Sequence, residues 1–142
     1  MSRIMRFEDI VNNMNDYVFH MLGCGAIGSS AAIQLARCGA DKFCLYDYDK
    51  VEEQNVGVSH YNMNDIGQYK VNALENHILS ISERARVYKY NESFSEFYHQ
   101  DNDIVILGFD SMKSRMEAVE TICRSRIKPL YLIDGRMGAE HY

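Results

Sequence analysis

Residues 17–49 read YVFHMLGCGAIGSSAAIQLARCGADKFCLYDYD, and the punctuation of this stretch decides the fold. The apolar run at 17–22 has the aromatic and β-branched character of a buried strand. Gly23 ends it, and Gly25 and Gly28 complete a Gly-x-Gly-x-x-Gly turn. From Ala26 the apolar positions Ile27, Ala31, Leu35 and Cys38 recur at the spacing of a helix face, and Gly39 is placed to stop that helix. A second apolar run at 43–46 then ends in Asp47, Tyr48 and Asp49.

The alternation of strand and helix continues along the chain. Residues 51–64 lack a clear period and read as a long loop, which in a compact domain points to a function. Asp65 is expected to cap a helix whose apolar face is Val71, Leu74, Ile78 and Ile81. Strands are expected at 86–90, at 103–107 (DIVIL) and at 130–133 (LYLI). Met116, Val119, Cys123 and Ile127 mark a helix over 111–127; a leading helix is read at 6–16 and one aromatic-rich helical turn at 93–99. Strands that are continuously apolar, separated by helices, imply a parallel sheet covered on both faces. Right-handed crossovers make it a doubly wound, mostly parallel α/β fold, Rossmann-like, whose ligands bind beyond the C-terminal strand ends.

The bulk numbers set limits. A chain of 142 residues favours one domain, and such a domain buries roughly two-thirds of its unfolded surface. A net charge of -5 argues against a dominant basic footprint for nucleic acid. No apolar run reaches the length of a membrane span, and residues 1–17 show no apolar signal core, so a cytoplasmic chain with free thiols is expected. The four cysteines, Cys24, Cys38, Cys44 and Cys123, form no Cys-x-x-Cys pair and no zinc spacing, and each is read as a small buried side chain.

The residues after each strand carry the chemistry. Small residues at Gly23, Gly25, Ala26 and Gly28 let the backbone approach a phosphate, and the helix that follows offers free N–H groups and a positive dipole end. Asp47 lies where an acidic residue, about twenty positions on, accepts hydrogen bonds from ribose hydroxyls. Asp49 is either a second ligand or a carboxylate that shapes the loop. Asp110 follows the fourth strand and reads equally as a magnesium ligand beside phosphates or as the cap of the next helix. Lys70 sits near a helix start, where a cation is unfavourable for the dipole, and reads as a phosphate ligand or as a solvated surface lysine. His20 reads as a satisfied core histidine, and His60 is the one histidine singled out in the loop. No phosphate-loop or serine-hydrolase motif occurs.

In order and spacing, GCGAIG, LYDYDKVEEQN, DIGQYK and GFDSMKSR resemble the ThiF/MoeB-type adenylyltransferases, the superfamily that includes ubiquitin-activating enzymes. The resemblance implies that residues 1–142 are one ThiF-type nucleotide-binding domain, without the C-terminal half of the full family domain. It implies ATP-dependent activation of a carboxylate, usually the C-terminal glycine of a ubiquitin-like or sulfur-carrier protein. Carried over by position, Gly23, Gly25 and Gly28 line the nucleotide, Asp47 holds the ribose, Asn55 and Lys70 contact phosphates, and Asp110 binds Mg2+. It also implies a homodimer. The chain departs from the family pattern at Val58 and Ser59, where Arg-Gln usually stands, and Arg3 or Arg6 would have to supply a cation in trans. Two alternatives stay open: a nucleotide-binding module without catalysis, and an NAD-dependent oxidoreductase.

Overall fold

The apolar runs become five strands: β1 (Val18–Leu22), β2 (Lys42–Tyr46), β3 (Arg86–Tyr90), β4 (Asp103–Leu107) and β5 (Tyr131–Asp134). Among the described residues the helices are α1 (Ala26–Arg37), α2 (Lys70–Ile81) and α3 (Met112–Arg124). The computed structural model describes residues 13–91, 103–109, 112–124 and 129–134. The strand order is β3-β2-β1-β4-β5, and every neighbouring pair is parallel. The chain therefore winds outward from β1 to β3, then returns to lay β4 against the other side of β1. That reversal opens a crevice past the ends of β1 and β4, where open α/β sheets bind ligands.

Alternation along the strands splits the interior into two layers. Phe19, Met21, Phe43, Leu45, Ile104 and Ile106 pack with Ala32, Ile33, Leu74 and Ile78 of α1 and α2. Leu22, Cys44, Tyr46, Val105 and Leu107 pack with Ala118 and Ile122 of α3. Both faces are covered, so β4 is buried at every position. The edge strand β3 is mostly exposed. His20 is the core histidine expected: it is buried, with Nε2 2.9 Å from Asp103 Oδ2 and Nδ1 3.2 Å from the Tyr46 hydroxyl.

The helix phases differ from the sequence expectation. In α1 the buried residues are Gly28, Ser29, Ala32, Ile33 and Ala36; Ile27, Ala31 and Leu35 are half-buried and Cys38 is exposed. The cause lies at Gly28, where a Cβ would fall 1.9 Å from the Gly23 carbonyl oxygen. That contact turns Gly28 inward, and the small residues one and two turns on follow it. In α3, Ala118 and Ile122 are buried, whereas Met116 and Cys123 are exposed and Val119 is half-buried. A small residue at the contact again lets the helix close on the sheet. Ile127 lies outside the described residues.

Three other expectations change. Asp65 does not cap α2, whose N-cap is Tyr69; it ends a 3-10 turn, Met63–Asp65, and Gly67, at φ +92°, redirects the chain before Lys70. Ile81, at the last position of α2, is exposed. Of the cysteines only Cys24 and Cys44 are buried. Within the leading segment the described part is a 3-10 turn, Met14–Asp16; residues 6–12 and the turn expected at 93–99 lie outside the described residues. No described helix is long and apolar enough to cross a membrane.

Gly28→Ala is expected to destabilise the fold by about 3 kcal/mol, because the backbone oxygen it meets cannot step aside as a side chain would. Urea unfolding of the two proteins measures this; a loss under about 0.5 kcal/mol would contradict the close approach.

Candidate functional site

Three glycines bring the strand ends together. Gly23 has φ +100°, a conformation that side chains resist, and a Cβ there would lie 2.8 Å from the carbonyl carbon of Gly108. A Cβ on Gly108 would meet the Gly23 oxygen at 3.0 Å and Gly28 at 3.1 Å. The loop after β1, the start of α1 and the end of β4 can meet only as bare backbone. The N-cap of α1 is Gly25, which makes no side-chain capping bond. Main-chain N–H groups of the first helical turn have no partner within the helix and form a positive end.

Asp47 joins β2 to that loop. Its Oδ2 accepts the Cys24 N–H at 2.8 Å and its Oδ1 accepts the Asp49 N–H at 2.8 Å. Its own N–H donates to the Tyr90 carbonyl at 3.1 Å. Burial raises the Asp47 pKa; the two N–H groups and the Lys70 charge oppose that rise without cancelling it. Each carboxylate oxygen keeps a further acceptor site, so a vicinal diol can still bind.

Lys70 enters from the far end of the long loop. The segment leaving β2 and the segment entering α2 pair locally: Lys50 bridges Tyr69, and the Lys70 N–H donates to the Asp49 carbonyl at 2.9 Å. Lys70 is thereby fixed as the first residue of α2, buried to 9% exposure, with Nζ 4.0 Å from Asp49 Oδ2. A nearly buried ammonium at a positive helix end has one flanking carboxylate and room for another anion.

The resulting cleft, of about 170 Å³, gathers Gly23, Gly25, Asp47, Asp49 and Lys70 from the expected set. It is smaller than the roughly 300–1,000 Å³ of a complete small-molecule site, so the described walls suit part of a nucleotide. Ala26 and Gly28 stand in the first turn of α1 beside the cleft without lining it. Asn55 is not in the lining; it ends a 3-10 turn, Glu53–Asn55, and its Oδ1 accepts the Glu52 N–H at 2.7 Å. Asp110, Arg3 and Arg6 lie outside the described residues. Val58, at the position of the familial arginine, is exposed.

Tyr48, Gly108, Phe109 and Ser114 complete the lining. Gly108 had a signal in the sequence, a glycine directly after the DIVIL strand; Ser114 had none, since a serine on a helix is unremarkable. Burial, foremost, and the nearby Asp47 charge keep the Cys24 thiol protonated, so it is no ready nucleophile. Among the described residues no group of three or more His, Cys, Asp or Glu could hold a metal.

Comparison with known proteins gives the family and the fold. The ThiF family matches residues 3–135. Ubiquitin-like modifier-activating enzyme 5 of Rattus norvegicus is 33% identical over 123 residues, covering 75% of this chain and 30% of that protein. The protein of the same name from Caenorhabditis elegans is 29% identical over 142 residues, covering 86% of this chain and 34% of its own length. The chain thus spans about a third of these relatives. Among solved structures, E. coli MccB with ATP superposes at TM-score 0.67 and 20% identity, over 78% of this chain and 34% of that one. E. coli TcdA, a tRNA N6-threonylcarbamoyladenosine dehydratase in complex with ATP, superposes at 0.72 and 24% identity, over 87% of this chain and 54% of that one.

The raised pKa of Asp47 gives a pH dependence. A folded state that holds a carboxyl proton more tightly than the unfolded chain loses stability as pH rises from about 4 through the folded value. Asp47→Asn removes that titration. The stability of the native protein relative to this variant, from urea unfolding, is expected to fall as pH is raised from 4 towards 7; a flat difference would mean that Asp47 titrates normally.

Proposed function

This chain belongs to the ThiF family, and on that premise we propose that it binds ATP in the glycine cleft and adenylates a carboxylate. The carboxylate best suited is the C-terminal glycine of a ubiquitin-like or sulfur-carrier protein. One observation carries the reading: the nearly buried Lys70 and the half-buried Asp47 carboxylate line the same glycine-walled cleft. Phosphates need the first, ribose hydroxyls the second.

In the proposed reaction a substrate carboxylate oxygen bonds to the α-phosphorus, the bond from that phosphorus to the bridging oxygen breaks, and pyrophosphate leaves. No protein nucleophile is required, because positioning and charge neutralisation lower the barrier. Asp47 and Asp49 hold the sugar end. Gly23 and Gly25 present bare backbone to phosphate, and the helix N-terminus, with Ala26 and Gly28 in its first turn, stands behind them. Lys70 offsets phosphate charge, with Asn55 assigned there on family position alone. Magnesium, held by one or two carboxylates together with substrate phosphates, would neutralise further charge. Asp110 is its assigned ligand, again by family position. A homodimer, with Arg3 or Arg6 crossing to the partner copy, and a cytoplasmic setting complete the proposal.

A second reading, nucleotide binding without activation, is favoured by Val58. Its neutral, exposed side chain cannot replace the charge of an arginine. ATP–pyrophosphate exchange with candidate carrier proteins separates the two: exchange supports adenylation, and tight ATP binding without exchange supports the second reading. Tighter binding of NAD than of ATP would instead favour an oxidoreductase. Where exchange occurs, Lys70→Ala and Asp110→Ala are each expected to lower it by about a hundredfold; unchanged exchange would reject those assignments.

A further inference from the structure

Tyr61, in the middle of the long loop, reaches back to the main chain beside the cleft. It is buried to 3% exposure among core side chains of α1 and α2. Its hydroxyl donates to the Cys24 carbonyl oxygen at 2.5 Å, and the Lys70 carbonyl oxygen lies 3.4 Å from the same hydroxyl. One phenol thus touches the main chain of the turn before α1 and of the first residue of α2.

The consequence at Gly25 follows from peptide geometry. A trans peptide is planar, so its C=O and N–H point in opposite directions. All described peptides are trans. With the Cys24 carbonyl drawn towards Tyr61 in the core, the N–H of Gly25 in the same peptide is turned away from the core, on a residue that lines the cleft. The ring is itself held: Tyr61 meets His77 edge-on at 6.4 Å between centroids, and His77 Nε2 lies 2.7 Å from Asp65 Oδ2. Burial also raises the Tyr61 pKa, which keeps the phenol a donor across the neutral range.

We propose that Tyr61 is a positioning residue for an anionic ligand: it aims the Gly25 N–H into the cleft and fixes that amide relative to Lys70. The inference rests on the nucleotide reading above and adds a residue of the loop to it. Its ligand class is a polyphosphate, since an amide N–H and an ammonium lining one cleft serve successive phosphate groups, and an uncharged nucleoside gains nothing from them.

The test is a competition titration of the full chain with ATP and with adenosine, against a fluorescent ATP analogue. Tyr61→Phe keeps the buried ring and removes only the hydroxyl. It is expected to weaken ATP about three- to tenfold, the worth of one net hydrogen bond, and to leave adenosine unchanged. Ile122→Val, in the layer on the other face of the sheet, controls for lost stability and is expected to leave the ratio of the two affinities alone. Equal weakening of both ligands by Tyr61→Phe, unchanged ATP affinity, or the same change of ratio in Ile122→Val would each overturn the role of Tyr61. Absence of ATP binding by the native protein would overturn the nucleotide reading itself, and this inference with it.

Discussion

Two backbone N–H groups, from Cys24 and Asp49, converge on the carboxylate of Asp47. The first belongs to the turn after β1, the second to the loop after β2. Those segments are not continuous in the chain, and no apolar contact would fix their separation so narrowly. The charge-assisted bond from the Cys24 N–H does, while the Asp49 N–H holds the other carboxylate oxygen in place. The glycine contacts of the turn and the entry of Lys70 through the Asp49 carbonyl follow from where this clamp holds the strand ends. The arrangement opposes itself electrostatically, since burial disfavours the same charge that the two donors favour. That tension is common where a buried group also serves a ligand.

The cleft is built mainly of what is missing. Gly23, Gly28 and Gly108 bring three elements within backbone contact, which leaves their polar main chain as the surface a ligand meets. The long loop supplies the side chains. Its ends pair as Lys50 with Tyr69, and its middle returns through Tyr61 to Cys24. A loop of this length without regular structure is uncommon in a compact domain; this one is tied at both ends and in the middle.

Much of this was legible from residue order. The strands, their parallel arrangement, and the cluster of Gly23, Gly25, Asp47, Asp49 and Lys70 follow from runs of apolar residues and from what stands at their ends. The inward faces of α1 and α3 were not legible, because periodicity weighs bulky side chains, while close packing turned Gly28 and Ala118 inward. Asp65 was misread because an aspartate ahead of an apolar period looks like a cap, whereas the chain spends four more residues, 66–69, turning before Lys70. Asn55 carries a familial position, yet a single amide on a 3-10 turn can satisfy its own turn instead. Tyr61 gave no signal, since a tyrosine in a loop says nothing of the two distant carbonyls that its hydroxyl meets.

The buried pair of His20 and Asp103 has a consequence for how the two halves of the sheet find each other. The residues are 83 positions apart, and β1 and β4 are parallel, so no tight turn dictates their alignment. Sliding β4 by one place would swing the Asp103 carboxylate to the opposite, aliphatic side, with no imidazole to meet it. Apolar neighbours such as Ile104 and Val105 are nearly interchangeable and would tolerate the error. The polar pair discriminates where they cannot, selecting the one alignment in which the crevice between the halves takes its shape.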